Sequence, residues 1–197
     1  MPRQSRYLCG HDERHWFVAA IPEATPVSTV EDAKLALRPA VLVAGPASAR
    51  KRLMARRSVA SIRQGEWFFV PAPDFRPGPL NPIRRNEPIS RGAGSTPHVA
   101  EEAVRFGGTV VWFAQRPWKY PQWPSRPSRA YSPAEMERLS ISHPAWRWES
   151  MLRDPELYVR GAVRHPDHAT VQLRGWHRVY MNTESLARAA SNVMFLD

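Results

Sequence analysis

Cysteine is almost absent from this sequence: Cys9 is the only one in 197 residues. A single thiol excludes an intrachain disulfide framework and fits a reducing compartment. Cys9 sits in an apolar, strand-like run, where a thiol behaves as a small hydrophobe and makes a poor nucleophile. Lysine is scarce too, at 3 residues against 25 arginines, a skew that a GC-rich coding sequence also produces. No apolar run reaches the ~18 residues of a membrane-spanning helix. The opening Met1-Pro2-Arg3-Gln4-Ser5-Arg6 does not lead into the apolar stretch of a signal peptide. The expectation is a soluble cytoplasmic protein with no membrane partner. Heptads and internal repeats are missing, as are His-Glu-x-x-His, the Gly-Lys-Ser/Thr phosphate loop and the dinucleotide fingerprint.

What is present is charge of one sign. Lys and Arg number 28 against 18 Asp and Glu, a formal net charge of +10. Such an excess favours a polyanionic partner, because clustered cations attract phosphates and release their counterions. The chain is 43% hydrophobic and 23% charged, enough to bury a sizeable core and to exclude wholesale disorder.

Local patterns divide the chain into short elements. Residues 7–9 and 15–21 read as strand, turn and strand. Ser28 with Glu31 predicts a capped helix ending near Leu37, and Val41–Val43 a short third strand. A helix is expected over about residues 48–58 and a buried strand over residues 65–70. Residues 71–88 carry six prolines and predict a stiff surface excursion outside any sheet. Thr96, Pro97, Glu101 and Glu102 predict a helix over residues 97–105, followed by a strand from Thr109 to Phe113. A second Pro-rich excursion covers about 116–133, then a helix capped by Ser132. The tail reads as three strands, Leu157–Arg164, Ala169–Arg174 and Trp176–Met181, then a helix over 184–190 and a strand at Val193-Met194-Phe195. The fold expected is a single α+β domain over residues 1–197, with a mostly antiparallel, partly barrelled sheet and a few short helices.

Four groups of residues carry candidate chemistry. In Arg164-His165-Pro166-Asp167-His168, two imidazoles and a carboxylate meet in a turn. His165, Asp167 and His168 are therefore candidate ligands for a divalent metal (Zn, Mn or Mg), with His177 on the next strand as a candidate third imidazole. The reading that competes is a turn capped by Asp167 and decorated by the histidines. The second group is the loop from Arg84 and Arg85 through Arg91, Gly92 and Gly94 to His98. A glycine loop entering a helix N-terminus presents N–H groups to an anion and keeps His98 neutral as a proton acceptor; an ordinary flexible loop is the alternative. The third is basic: Arg50, Lys51, Arg52, Arg56 and Arg57 in one patch, with Arg116, Trp118 and Lys119 in the aromatic excursion. The fourth is a strand face carrying Arg160 and Arg164, with Thr170, Gln172 and Arg174 on the following strand, while Val159, Val163, Val171 and Leu173 line the core.

Three functions are compatible with these patterns. The first is a nucleic-acid- or polyphosphate-binding protein. The second is a metal-assisted hydrolase or phosphoryl-transfer enzyme acting on a phosphodiester or nucleotide, with His98 or His177 moving a proton. The third is a structural protein that forms homo-oligomers through its Pro-rich arms. The enzyme reading requires His98, His165, His168 and His177 to converge beside Arg91.

Overall fold

The computed structural model describes residues 5–11, 16–43, 60–90, 95–115 and 129–187. The fold is α+β with mostly antiparallel sheets, none closed into a barrel. The chain divides into two compact units, residues 1–104 with 157–197, and residues 105–156.

The larger unit begins with a hairpin, β1 (Arg6–His11) and β2 (Trp16–Ile21), as the sequence suggests. Helix α1 (Val30–Ala36) follows. Its cap is Thr29 rather than Ser28, and the reciprocal partner is Asp32 rather than Glu31, one residue later than expected. Leu8, Ala19 and Ile21 of the hairpin pack with Ala33 and Leu37 in a small apolar cluster. Val41–Val43 is not a strand: Ala40–Val43 makes one helical turn, α2, started by Pro39.

Six strands form the principal sheet: β3 (Ile62–Gln64), β4 (Trp67–Pro71), β5 (Arg84–Ile89), β6 (His98–Phe106), β9 (Glu156–His165) and β10 (His168–Met181). Their order is β3-β4-β10-β9-β6-β5. The core cluster is built by Trp67, Phe69, Ile89, Ala100, Ala103, Val159, Val163, Val171 and Leu173. Strand periodicity explains most of this list, since alternate β-branched positions on β9 and β10 reach the same side.

Three sequence expectations fail here. Residues 97–105 form β6 and not a helix. The start signals Thr96 and Pro97 are outweighed by pairing with β5 and by the carboxylates, which serve the neighbouring strand. Glu101 accepts the Ala162 N–H at 2.8 Å, and Glu102 pairs with Arg160. The excursion over 71–88 ends in a sheet strand after all. β5 is an edge strand, where Pro88 is tolerated because no further strand needs its missing N–H. The tail contains two strands and not three, because β10 continues through Gly175. That residue has φ +79°, and the shift in register between Leu173 and His177 is absorbed around it.

After β10, a 3-10 turn (Thr183–Leu186) replaces the first part of the helix expected over 184–190. The Thr183 N–H donates to Leu37 O at 3.1 Å, and the Asn182 N–H to Glu66 O at 2.9 Å. The rest of that helix, the final strand and the helix over 48–58 lie outside the described residues.

The smaller unit pairs β7 (Thr109–Gln115) with β8 (Arg147–Arg153) and adds helix α3 (Pro133–Ser142). Ser132 caps α3 as expected: its hydroxyl accepts the Glu135 N–H, and Glu135 accepts the Ser132 N–H at 2.9 Å. Strand β8 escapes sequence reading because nearly all of its residues are exposed, so no alternation marks it.

Candidate metal centre

His165 ends β9, His168 begins β10, and the two are directly paired across the turn Pro166-Asp167. Residues opposed in an antiparallel pair place their Cβ atoms on one side about 5 Å apart, so this turn brings the two rings together. The third ring comes from His98, the first residue of β6, held opposite Ile89 of the edge strand. One ligand atom from each of His98, His165 and His168 lies within 4.8 Å of the other two. The ring centroids are 4.3 Å apart for His98 and His165, 4.8 Å for His165 and His168, and 5.6 Å for His98 and His168.

The surroundings are tightly built. Gln64, fully buried, donates its side-chain N–H to Ala169 O at 2.8 Å, which ties β3 to the start of β10 beside His168. Trp67 meets His98 edge-on at 6.4 Å between centroids. Gly65 has φ +56°, and a Cβ there would stand 3.1 Å from His168 Nε2 and 3.4 Å from His98 Nε2. The bare glycine keeps this side of the triad open. Gly65→Ala is expected to lower zinc affinity at least tenfold, because a methyl group would crowd both nitrogens. Its cost to folding is about 1 kcal/mol from the left-handed backbone. Zinc titration beside urea denaturation separates the two effects.

His98 is the unusual member. It is 1% exposed, and neither ring nitrogen has a hydrogen-bond partner. A neutral imidazole has one N–H and one lone pair, and leaving both unmet in the interior costs about 1–3 kcal/mol each. Burial first, and then the adjacent His165 and His168, lower its pKa from 6.5 to about 3. The lone pair is therefore free of a proton at neutral pH. His165 is arranged differently: its Nδ1 accepts the Asp167 N–H at 3.2 Å, which puts the proton of the neutral ring on Nε2, so ligation through Nε2 would move that proton to Nδ1 and give up this bond. The Asp167 carboxylate stands 3.9 Å from Nδ1 and would have to approach by about 1 Å to accept a proton placed there by ligation of Nε2. Metal-binding imidazoles commonly carry such a partner.

The sequence placed Asp167 among the ligands, whereas the cluster is three imidazoles with Asp167 beside one of them. An all-nitrogen set suits zinc and other imidazole-seeking metals and is poor for Mg²⁺ or Mn²⁺, which prefer oxygen. His98, expected at a helix N-terminus as a proton acceptor, is a strand residue, and burial replaces the helix dipole as the cause of its neutrality. His177 does not join the group. It pairs with Val159, six residues along β9 from His165, about 20 Å at strand spacing. It is buried, and its Nδ1 lies 3.0 Å from Gly175 O. Gln64 and Gly65 were not singled out in the sequence. A glycine after a β-strand and before Trp67 is too ordinary a turn signal to reveal them.

On the opposite face of the sheet, Arg164, Thr170, Gln172 and Arg174 are exposed, as the alternation predicts. Arg164 donates to the Asn86 side chain at 2.8 Å, and Arg160 pairs with Glu102. Arg85 also reaches Glu102, at 3.7 Å, and Arg84 reaches Glu87 at 3.5 Å. Cys9 is exposed rather than packed. Arg50, Lys51, Arg52, Arg56, Arg57, Arg91, Gly92, Gly94, Arg116, Trp118 and Lys119 lie outside the described residues. No protein-family model, curated protein or solved structure matches the chain.

Proposed function

We propose that the protein is a metal-dependent hydrolase that holds one divalent ion, zinc foremost, on His98, His165 and His168 and acts on a phosphodiester or nucleotide. The observation that carries this reading is the convergence of three imidazoles around the buried, unpartnered nitrogens of His98. Structural zinc sites use four protein ligands, whereas catalytic ones use three and leave a position for water or substrate. A metal in such a site lowers the pKa of bound water and polarises a phosphoryl oxygen. Asp167 would hold the His165 ring through Nδ1, and Gly65 would leave room beside the metal for the reacting group. The net charge of +10 supports a polyanionic substrate, which the exposed arginine face of the sheet would help to attract. This joins the binding reading of the sequence to the hydrolytic one.

The test is hydrolysis of bis-(p-nitrophenyl) phosphate and of a single-stranded oligonucleotide by the zinc-loaded protein. The expected result is turnover that chelator abolishes and zinc restores, reduced at least a hundredfold in His98→Ala and His168→Ala, within the range seen when positioned catalytic groups are removed. Turnover that is unchanged in both variants would contradict the proposal.

A further inference from the structure

The hairpin that joins β3 to β4 carries polar atoms that the three imidazoles do not account for. Gln64 and Trp67 are paired across its turn, so both side chains leave the hairpin on one side. That side adjoins the triad. Trp67 meets His98 edge-on, and Gln64 donates to Ala169 O, on the residue after His168. Gly65, in the turn between them, is the residue whose Cβ would crowd His168 Nε2 and His98 Nε2. Gln64 is fully buried and Trp67 is 7% exposed. Among the described residues, neither Trp67 Nε1 nor Gln64 Oε1 has a hydrogen-bond partner.

The part each atom can take is set by its chemistry. An indole nitrogen only donates. The Gln64 amide nitrogen lies 2.8 Å from Ala169 O and 3.4 Å from Val163 O. Turned over, the amide would press its oxygen against two carbonyl oxygens, so Oε1 is the end left to accept. Buried indole N–H groups and amide oxygens ordinarily find partners, and leaving one unmet is costly. These two do not satisfy each other. A group that meets both is small, with a lone pair for the indole and a hydrogen for the amide. An oxygen bound to a metal on the triad has both, because three protein ligands leave a fourth position.

We propose that Gln64 and Trp67 position the oxygen that completes the metal's coordination, Trp67 by donating to it and Gln64 by accepting its hydrogen. This rests on the metal centre described above and adds a preference to it. The fourth position favours an oxygen that carries a hydrogen, as water, hydroxide or a protonated oxyanion does. The Trp67 N–H draws negative charge towards that oxygen, while Gln64 Oε1 opposes a ligand that offers lone pairs alone.

The experiment loads the full chain with cobalt(II) in place of zinc, follows its visible spectrum and titrates with azide. Azide offers lone pairs and no hydrogen, so the two positions respond differently. Trp67→Phe keeps a ring and removes the N–H. It should weaken azide about tenfold, or about 1.4 kcal/mol, the size of one hydrogen bond. Gln64→Met removes the opposing oxygen and should bind azide at least as tightly as the parent. Cobalt affinity should be nearly unchanged in both, since neither residue is a ligand. General loosening of the site would weaken azide in both variants alike. If Gln64→Met fails to fold, having lost its bonds to Ala169 and Val163, Trp67→Phe carries the test. Azide affinity that is unchanged in Trp67→Phe, or that falls in both variants, overturns the proposal and leaves the three-imidazole centre standing. A parent that takes up cobalt but no azide overturns it as well. A parent that takes up no cobalt overturns the metal centre with it. Turnover is not measured, so failure to hydrolyse a phosphodiester leaves this result unaffected.

Discussion

Acidifying the metal-free protein from pH 7 to about pH 3 is expected to remove roughly 4 kcal/mol of folding stability through His98 alone. The folded pKa of this imidazole is about 3, below its ordinary 6.5. Its contribution is therefore fully present above the unfolded value. As pH falls below about 6.5, the unfolded chain takes up a proton that the folded ring refuses, at about 1.4 kcal/mol per pH unit. The loss levels off only when pH drops through the folded pKa. Urea denaturation in chelator at intervals from pH 7 to pH 4 measures it. Carboxylates titrate in the lower part of this range as well, so the comparison is with His98→Leu, which fills much of the same space without an ionisable group. The parent should lose several kcal/mol more than the variant across the range. Parallel pH profiles would show that His98 is not held neutral by burial.

Zinc is expected to reverse the instability that this arrangement builds in. Three converging imidazoles, one of them a buried ring without a proton, form a preorganised site, and a ligand that binds only the folded state stabilises it by mass action. With free zinc at a thousand times its dissociation constant, the gain is about 4 kcal/mol. For a chain of this length that corresponds to a rise in Tm of about 8–16 °C. His168→Ala and His165→Ala should lose most of the rise. Asp167→Asn should lose about ten- to a hundredfold in zinc affinity, as expected of a residue that orients a ligand without being one. A Tm that zinc leaves unmoved would remove the basis for the metal centre.

Much of the fold was legible where local chemistry and tertiary context agree. The capping box at Ser132, the alternation of Val159, Val163, Val171 and Leu173, and the apolar run from Trp67 to Val70 each specify their structure through neighbours in sequence. Reading failed where distant partners decide. Thr96, Pro97, Glu101 and Glu102 satisfy the local rules for a helix start, yet Ala162 and Arg160 of β9 claim both carboxylates and the segment pairs as β6. That error displaced His98 from the sheet, and with it the third imidazole. The pair His165 and His168 was legible because a turn of two residues leaves them opposite each other whatever surrounds them. His177 misled for the converse reason: its strand was identified, but the register that carries it six residues along β9 depends on the irregularity around Gly175.

The central claim is that His98, His165 and His168 bind a metal together. Elemental mass spectrometry of the tag-free protein, dialysed after exposure to zinc, tests it most directly beside His98→Ala and His168→Ala. The account predicts about one zinc per chain in the parent and almost none in either variant. Zinc that is absent from the parent, or retained in full by both variants, would contradict it.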